Sequence, residues 1–368
     1  MRILCFGLAG GVVEMPRSGM ALAGWSSCEA LKSQCTKDDE ILIMKNVVAV
    51  RKKALIKKFK PDVIFLSGLA WHQFNGFYPG LEDCGIPVVP HILSGDCGWA
   101  DKPNYEAIHA NLGKCSKIVC RSILSLCHFL YNKVDHRKLV YVPEAFDINI
   151  FKPRDMTECR KKHGLPTDMK IAGIFGGKSK GMYQNIAALK RMYKEHPSLK
   201  DKMKCIWMYS SYYPASVDLK KLLMSELDGN VYCFDHANPD GKTKDATQMS
   251  ELLNCCDVVS IPSIHEGFGR VQIETQLSGV PLVTCKGYGT SCYENILDGK
   301  TGFAVKSIPV NESHCTAQVD RLAAAIYRIS MYDELRSQMS VAARSWTKDK
   351  FSYAAVGGEL LEILRSCV

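Results

Sequence analysis

A chain of 368 residues and 41.0 kDa exceeds what one hydrophobic core ordinarily holds, so two domains are expected. Hydrophobic residues at 46% and charged residues at 23% exclude a disordered or fibrous chain, and no apolar run reaches the roughly 20 residues that a membrane-spanning helix needs. The net charge of +9 favours anionic partners, but no nucleic-acid motif and no interleaving of basic and aromatic residues accompanies it, so nucleic acid is not expected.

The chain opens with a strand, Arg2–Gly7, and a glycine-containing loop with Gly10 and Gly11, followed by a helix from about Gly19 to Ser33. This apolar start is short, broken by glycines and followed by Glu14, so it reads as strand and loop rather than as a signal sequence. Between Arg51 and Lys60, cations surround Ala54, Leu55 and Ile56. That stretch reads as a solvated helix face leading into the next strand, or as a basic amphipathic helix touching an anionic membrane. Strands follow at Asp62–Leu66, Pro87–His91, Lys117–Cys120 and Leu139–Val142, with His72 and Asp96 in loops between them.

Pro143 to Pro153 forms a junction, and a helix around Met156–His163 is stopped by Gly164 and Pro166. The alternation restarts with strands Ile171–Phe175, Cys205–Tyr209, Val231–Phe234, Asp257–Pro262 and Pro281–Thr284. Helical regions Val319–Trp346 and Ala354–Ser366 close the chain. The expected fold is α/β: two Rossmann-like domains, 1–150 and 151–345, facing across a cleft, with 346–368 as a helix returning to the first. Seventeen cysteines are scattered without a Cys-x-x-Cys pair, and many sit in apolar runs. They read as buried, reduced thiols in a cytosol-like compartment, not as zinc ligands or disulfides.

The chemistry gathers between Asp257 and Glu274. A buried strand is followed by Pro262-Ser263, then Glu266-Gly267-Phe268-Gly269-Arg270, and then a helix carrying Glu274. A loop at the C-terminal end of a parallel strand is where ligands bind in such folds. Glycines there allow close approach to the backbone, and the amides of a helix start suit a diphosphate.

This order, with Gly279-Val280-Pro281, Glu294–Gly299 and Thr301-Gly302-Phe303 after it, resembles the retaining glycosyltransferases of GT-B architecture that include bacterial mannosyltransferases and sucrose synthases. Their hallmark is two glutamates with seven residues between them, and here these are Glu266 and Glu274. The resemblance implies a nucleoside-diphosphate sugar as donor, with Glu274 on its ribose and Glu266 beside the transferred sugar. The amides of Gly267, Phe268 and Gly269, with Arg270, would complete the donor site, and Gly10 and Gly11 would approach the phosphates or the acceptor. The family places an arginine and then a lysine after the first strand of the second domain. Here Lys180-Gly181 matches the lysine, but Phe175 stands at the arginine's position, leaving Lys178 as the candidate substitute. His91, at a strand end, corresponds to a histidine near the transferred sugar.

In this reading the acceptor, a glycan or lipid-linked hydroxyl, attacks on the face that the diphosphate leaves, and a phosphate oxygen takes its proton. No Asp-x-Asp occurs, so charge neutralisation by lysines without a metal or other cofactor is expected. The rival readings are a sugar-nucleotide epimerase or phosphorylase on the same architecture, and a degenerate relative that binds nucleotide or glycan without turnover. A nicotinamide oxidoreductase rests only on the first glycine loop, whose spacing departs from the dinucleotide fingerprint.

Overall fold

The computed structural model describes residues 1–7, 19–45, 48–69, 74–93, 105–209, 214–235, 245–287, 292–311 and 314–368. The chain divides into two units, Met1–Asp147 together with Asp349–Val368, and Ile148–Lys348.

In the first unit, β1 (Arg2–Gly7), β2 (Glu40–Lys45), β3 (Val63–Leu69), β4 (Val88–Ile92), β5 (Ile118–Cys120) and β6 (Leu139–Tyr141) form one parallel sheet. Its order is β2-β1-β3-β4-β5-β6. Alternate side chains of each strand serve two cores. Ile3 and Cys5 pack with residues of helices Gly19–Gln34 and Tyr353–Arg365, while Leu4 and Phe6 join Phe59, Phe74 and Phe129 on the other face. The two helices of the first face approach closely at Gly357, where a Cβ would lie 2.2 Å from the carbonyl oxygen of Ala30. Strand β2 has no counterpart in the sequence reading. It is a sheet edge with only partly buried positions between Glu40 and Lys45, so its apolar pattern is weak.

The basic stretch forms the helix Ala49–Phe59. Phe59 is buried and Leu55 and Ile56 are half-buried, while Arg51, Lys53, Lys57 and Lys58 face solvent. Lys52 corrects the expectation of a wholly solvated cationic stretch. It is buried, donates to the carbonyl oxygens of Phe77 and Pro79, and burial lowers its pKa to about 8.

The second unit holds β7 (Lys170–Phe175), β8 (Met203–Tyr209), β9 (Val231–Asp235), β10 (Val258–Ile261), β11 (Leu282–Lys286), β12 (Gly302–Asn311) and β13 (His314–Ala317). Their order is β13-β12-β11-β10-β7-β8-β9, and β13 runs antiparallel to β12. Without β13, this is the doubly wound arrangement in which the winding reverses between the first strand and the fourth, here β7 and β10. Strands β12 and β13 were not foreseen. At their N-terminal ends β7 and β10 are pinned together by Asp257, whose Oδ2 accepts from the Ile171 amide (2.7 Å) and from Arg160 (2.8 Å). Arg336 faces the other carboxylate oxygen at 3.5 Å, so the buried charge of Asp257 is shared between two guanidinium groups.

All fifteen cysteines among the described residues are free thiols, ten of them buried. No helix among the described residues is long and apolar enough to cross a membrane.

Candidate active site

Two loops leave the C-terminal ends of β7 and β10, the neighbouring strands at which the winding reverses. The first is a 3₁₀ turn, Lys178–Lys180, that runs through Gly181 into helix Met182–Glu195. The second runs from Pro262 to Gly269 and into helix Arg270–Leu277. The Ile264 amide donates to the Ser179 carbonyl oxygen at 2.9 Å, which ties one loop to the other. They also touch at Gly181. Its φ is +78°, and a Cβ there would fall 2.3 Å from the Pro262 carbonyl oxygen, so both backbone angle and space demand glycine.

Across this junction Lys180 Nζ meets Glu266 Oε2 at 2.5 Å, and the Ser263 hydroxyl donates to the same oxygen at 3.1 Å. Glu266 is buried while Lys180 is about one-third exposed, with 34% of its side chain reaching solvent. A buried carboxylate needs such partners to stay charged. Glu274, also buried, faces the Arg270 guanidinium one helical turn away, Nε to Oε1 at 3.4 Å. Both helices begin at a glycine, Gly181 and Gly269, without a side-chain cap. Helix starts of this kind turn amide N–H groups and positive dipole ends toward a ligand.

Behind the second loop lies a polar support that sequence reasoning missed. Asn295 Nδ2 donates to the Phe268 carbonyl oxygen, and Gln276 donates to the Asn295 carbonyl oxygen at 2.6 Å. Gln272 donates to the Thr284 hydroxyl at 3.1 Å. Phe268 itself is fully buried. These bonds hold the Gly267–Gly269 backbone from beneath. Ser263, inside the Pro-Ser pair before Glu266, and Asn295, inside Glu294–Gly299, were visible as motif residues; Ser263 acts locally, three residues from Glu266, whereas the role of Asn295 comes from a contact across 27 residues of chain.

The second unit thus gathers Lys180, Glu266, Gly267, Phe268, Gly269, Arg270 and Glu274. Lys178 is exposed, and its ammonium lies over the Tyr183 ring at 5.9 Å rather than against either carboxylate. Gly10, Gly11, His72 and Asp96 lie outside the described residues.

His91 belongs to the first unit, next to the last residue of β4, where it is fully buried and stacked near Phe65. The Ser27 hydroxyl lies 3.0 Å from the Ala23 carbonyl oxygen and 3.1 Å from His91 Nδ1. Burial, with Arg121 adding to it, lowers the His91 pKa to about 4, against the opposing pull of Glu144. Arg121 and the fully buried Glu144 pair just beyond β5 and β6.

The unfolded imidazole titrates near 6.5 and the folded one near 4, so between those values the unfolded chain binds more protons. Stability is therefore expected to fall as pH drops from 6.5 toward 4, by up to about 3 kcal/mol from this residue. Thermal denaturation across that range should show a steeper acid loss for the wild type than for His91→Gln. Parallel profiles would place the imidazole in a wetter site than the one described.

With this geometry in place, residues 241–346 match the family described as Glycosyl transferases group 1. The chain is 25% identical over 179 residues to the D-inositol 3-phosphate glycosyltransferase of Stackebrandtia nassauensis, covering 47% of this chain and 39% of that protein. A second D-inositol 3-phosphate glycosyltransferase, from Actinosynnema mirum, is 25% identical over 242 residues, covering 63% of this chain and 54% of the relative. The chain thus spans about two-fifths to one-half of the length of these curated relatives. Among solved structures, HepE of Anabaena in complex with UDP and glucose superposes with a TM-score of 0.72 at 17% identity, covering 100% of both chains. Sucrose-phosphate synthase of Thermosynechococcus elongatus superposes with a TM-score of 0.76 at 15% identity, over 99% of this chain and 98% of that one. These likenesses establish the GT-B fold, and the segment that matches the group 1 family, residues 241–346, contains Glu266 and Glu274.

Proposed function

We propose that the protein is a retaining glycosyltransferase that moves a hexose from a nucleoside-diphosphate sugar to a hydroxyl of a glycan or lipid-linked acceptor. The observation that carries this reading is the Lys180–Glu266 pair, set between two glycine-started helices where the sheet reverses its winding. In this reading the diphosphate lies against the two helix starts, and Lys180 moves from Glu266 toward the departing phosphate as negative charge develops there. Glu266, held by Ser263, faces the sugar as it gains positive character. Glu274, held by Arg270, takes the ribose hydroxyls. The acceptor's proton goes to a phosphate oxygen of the leaving diphosphate, so no protein base is required. Lys180 and Arg270 supply the charge for metal-independent transfer, which is tested by activity surviving a chelator.

Uridine diphosphate is the first nucleotide to try, because the similar fold of HepE has been crystallised with UDP and with UDP-glucose. A thermal-shift panel of UDP, GDP, ADP and NAD without added metal is the test. A ligand at about 100 times its dissociation constant stabilises the fold by roughly 2.7 kcal/mol. One nucleoside diphosphate should raise the midpoint, the rise should vanish in Glu274→Ala, and it should persist in Glu359→Ala. Equal loss in both variants would sink the assignment of Glu274.

A second reading, a nucleotide binder without turnover, is favoured by Phe175 at the arginine's position and by Lys178 turned onto Tyr183. Nucleotide binding without transfer from any donor would select it. The proposal also includes a peripheral contact between an anionic membrane and helix Ala49–Phe59. Val48 and Val50 are 70% and 79% exposed there, beside Arg51, Lys53, Lys57 and Lys58.

A further inference from the structure

At the far side of the second unit's sheet from β7, a cavity of about 300 Å³ lies between β12 and helix Val319–Met331. Four cations line it: Lys286, Lys306, Arg321 and Arg328. Arg321 and Arg328 are seven residues apart, two turns along one helix face, with Ala324 and Ala325 leaving room between them. Lys286 and Lys306 stand side by side in register on neighbouring parallel strands, where like charges repel.

Among the described residues the only carboxylate in the lining is Asp298, and it is already committed. Its Oδ2 accepts from Lys286 at 2.8 Å and its Oδ1 from the Ala304 amide at 2.9 Å. Among the described residues, Lys306 and Arg321 make no ion pair. Asp320, next to Arg321 in the chain, turns instead toward Arg191 at 3.8 Å. The Arg328 guanidinium sits over the Phe303 ring, 4.7 Å from its centroid. Stacking of that kind fixes the plane of the fork while leaving its N–H groups to donate.

We infer that this cavity binds a small phosphate-bearing molecule, at a site separate from the donor site. The lining carries a net charge of about +3, four cations less one carboxylate. A concave, cation-lined surface concentrates anions, and guanidinium forks match the oxygens of a phosphate. The volume is at the lower end of ligand pockets, which suits a phosphomonoester rather than a whole nucleotide sugar. The site depends on no assumption about the transfer reaction.

The test is calorimetric titration of the full chain with inorganic phosphate at fixed ionic strength, beside a chloride control. Wild type and Lys180→Met should bind phosphate alike, because the second variant disturbs only the donor site. The Arg321→Ser and Arg328→Ser double variant should bind at least tenfold more weakly. Arg321→Ser alone, which removes a solvated side chain and leaves the Phe303 stack intact, should weaken binding severalfold without changing the melting midpoint. Unchanged affinity in Arg321→Ser and in the double variant, or a phosphate effect no larger than that of chloride, would overturn the site. Loss of phosphate binding in Lys180→Met would do the same by assigning the anion to the donor loops.

Discussion

Replacing Gly181 with alanine is expected to lower the stability of the second unit by about 3 kcal/mol or more and to weaken nucleotide binding at least tenfold. Two costs add. A left-handed backbone angle costs an L-residue roughly 1–2 kcal/mol, and Gly181 has φ of +78°. The new Cβ would also sit 2.3 Å from the Pro262 carbonyl oxygen and 2.6 Å from Pro262 Cγ, so the β10 loop must move. Backbone is what the methyl meets, and backbone cannot swing aside as a lysine tip can. For a unit of about 200 residues this corresponds to a midpoint lowered by roughly 6–12 °C. Because the same two loops carry Lys180 and Glu266, displacement should spoil the nucleotide site as well. Gly177→Ala is the control. Its φ is −98° and nothing lies within 4 Å of a Cβ there, so its effect should stay within about 0.5 kcal/mol. If Gly181→Ala melted and bound nucleotide like the wild type, the close approach of the two loops would be wrong.

Lys180→Met is expected to cost turnover far more than stability. Removing one preorganised group that stabilises charge developing in a transition state typically lowers the rate by about 10²–10³. The stability loss is smaller, on the order of 1–2 kcal/mol, because Lys180 is one-third exposed and Glu266 keeps the Ser263 hydroxyl. Single-turnover transfer assays with the donor that passes the thermal-shift panel would read the effect. Glu266→Gln should fall by a similar factor, and the double variant should be little worse than the more damaging single one. That non-additivity is the mark of groups acting as a unit. A Lys180→Met enzyme within about threefold of wild type would show that the pair is a structural tie and nothing more.

Some of this was legible in the chain itself. Short continuous apolar runs separated by helical stretches set an α/β class, because strands buried on both faces must be apolar along their length. Glu266-Gly267-Phe268-Gly269 and Glu274 were visible for a related reason: a loop and the helix after it carry their chemistry at fixed local spacing. The helix that starts at Gly269 was readable in the same way.

What the sequence could not decide is what depends on non-local contact. Lys180 and Glu266 are 86 residues apart, and their meeting requires β7 and β10 to be neighbours, a strand order that no local pattern encodes. The edge strand β2 was missed because an edge is only partly buried and so lacks an apolar signature. Lys52 reads as one of several surface cations until the carbonyls of Phe77 and Pro79 fold over it. His91 likewise reads as a strand-end histidine until Ser27 of a distant helix covers it and burial holds it neutral. Composition and spacing determine which elements form and which residues share a loop. Only packing decides which charges are dry, which are paired and which are left facing one another across a cavity, because desolvation and ion pairing act between whatever the fold brings within a few ångströms.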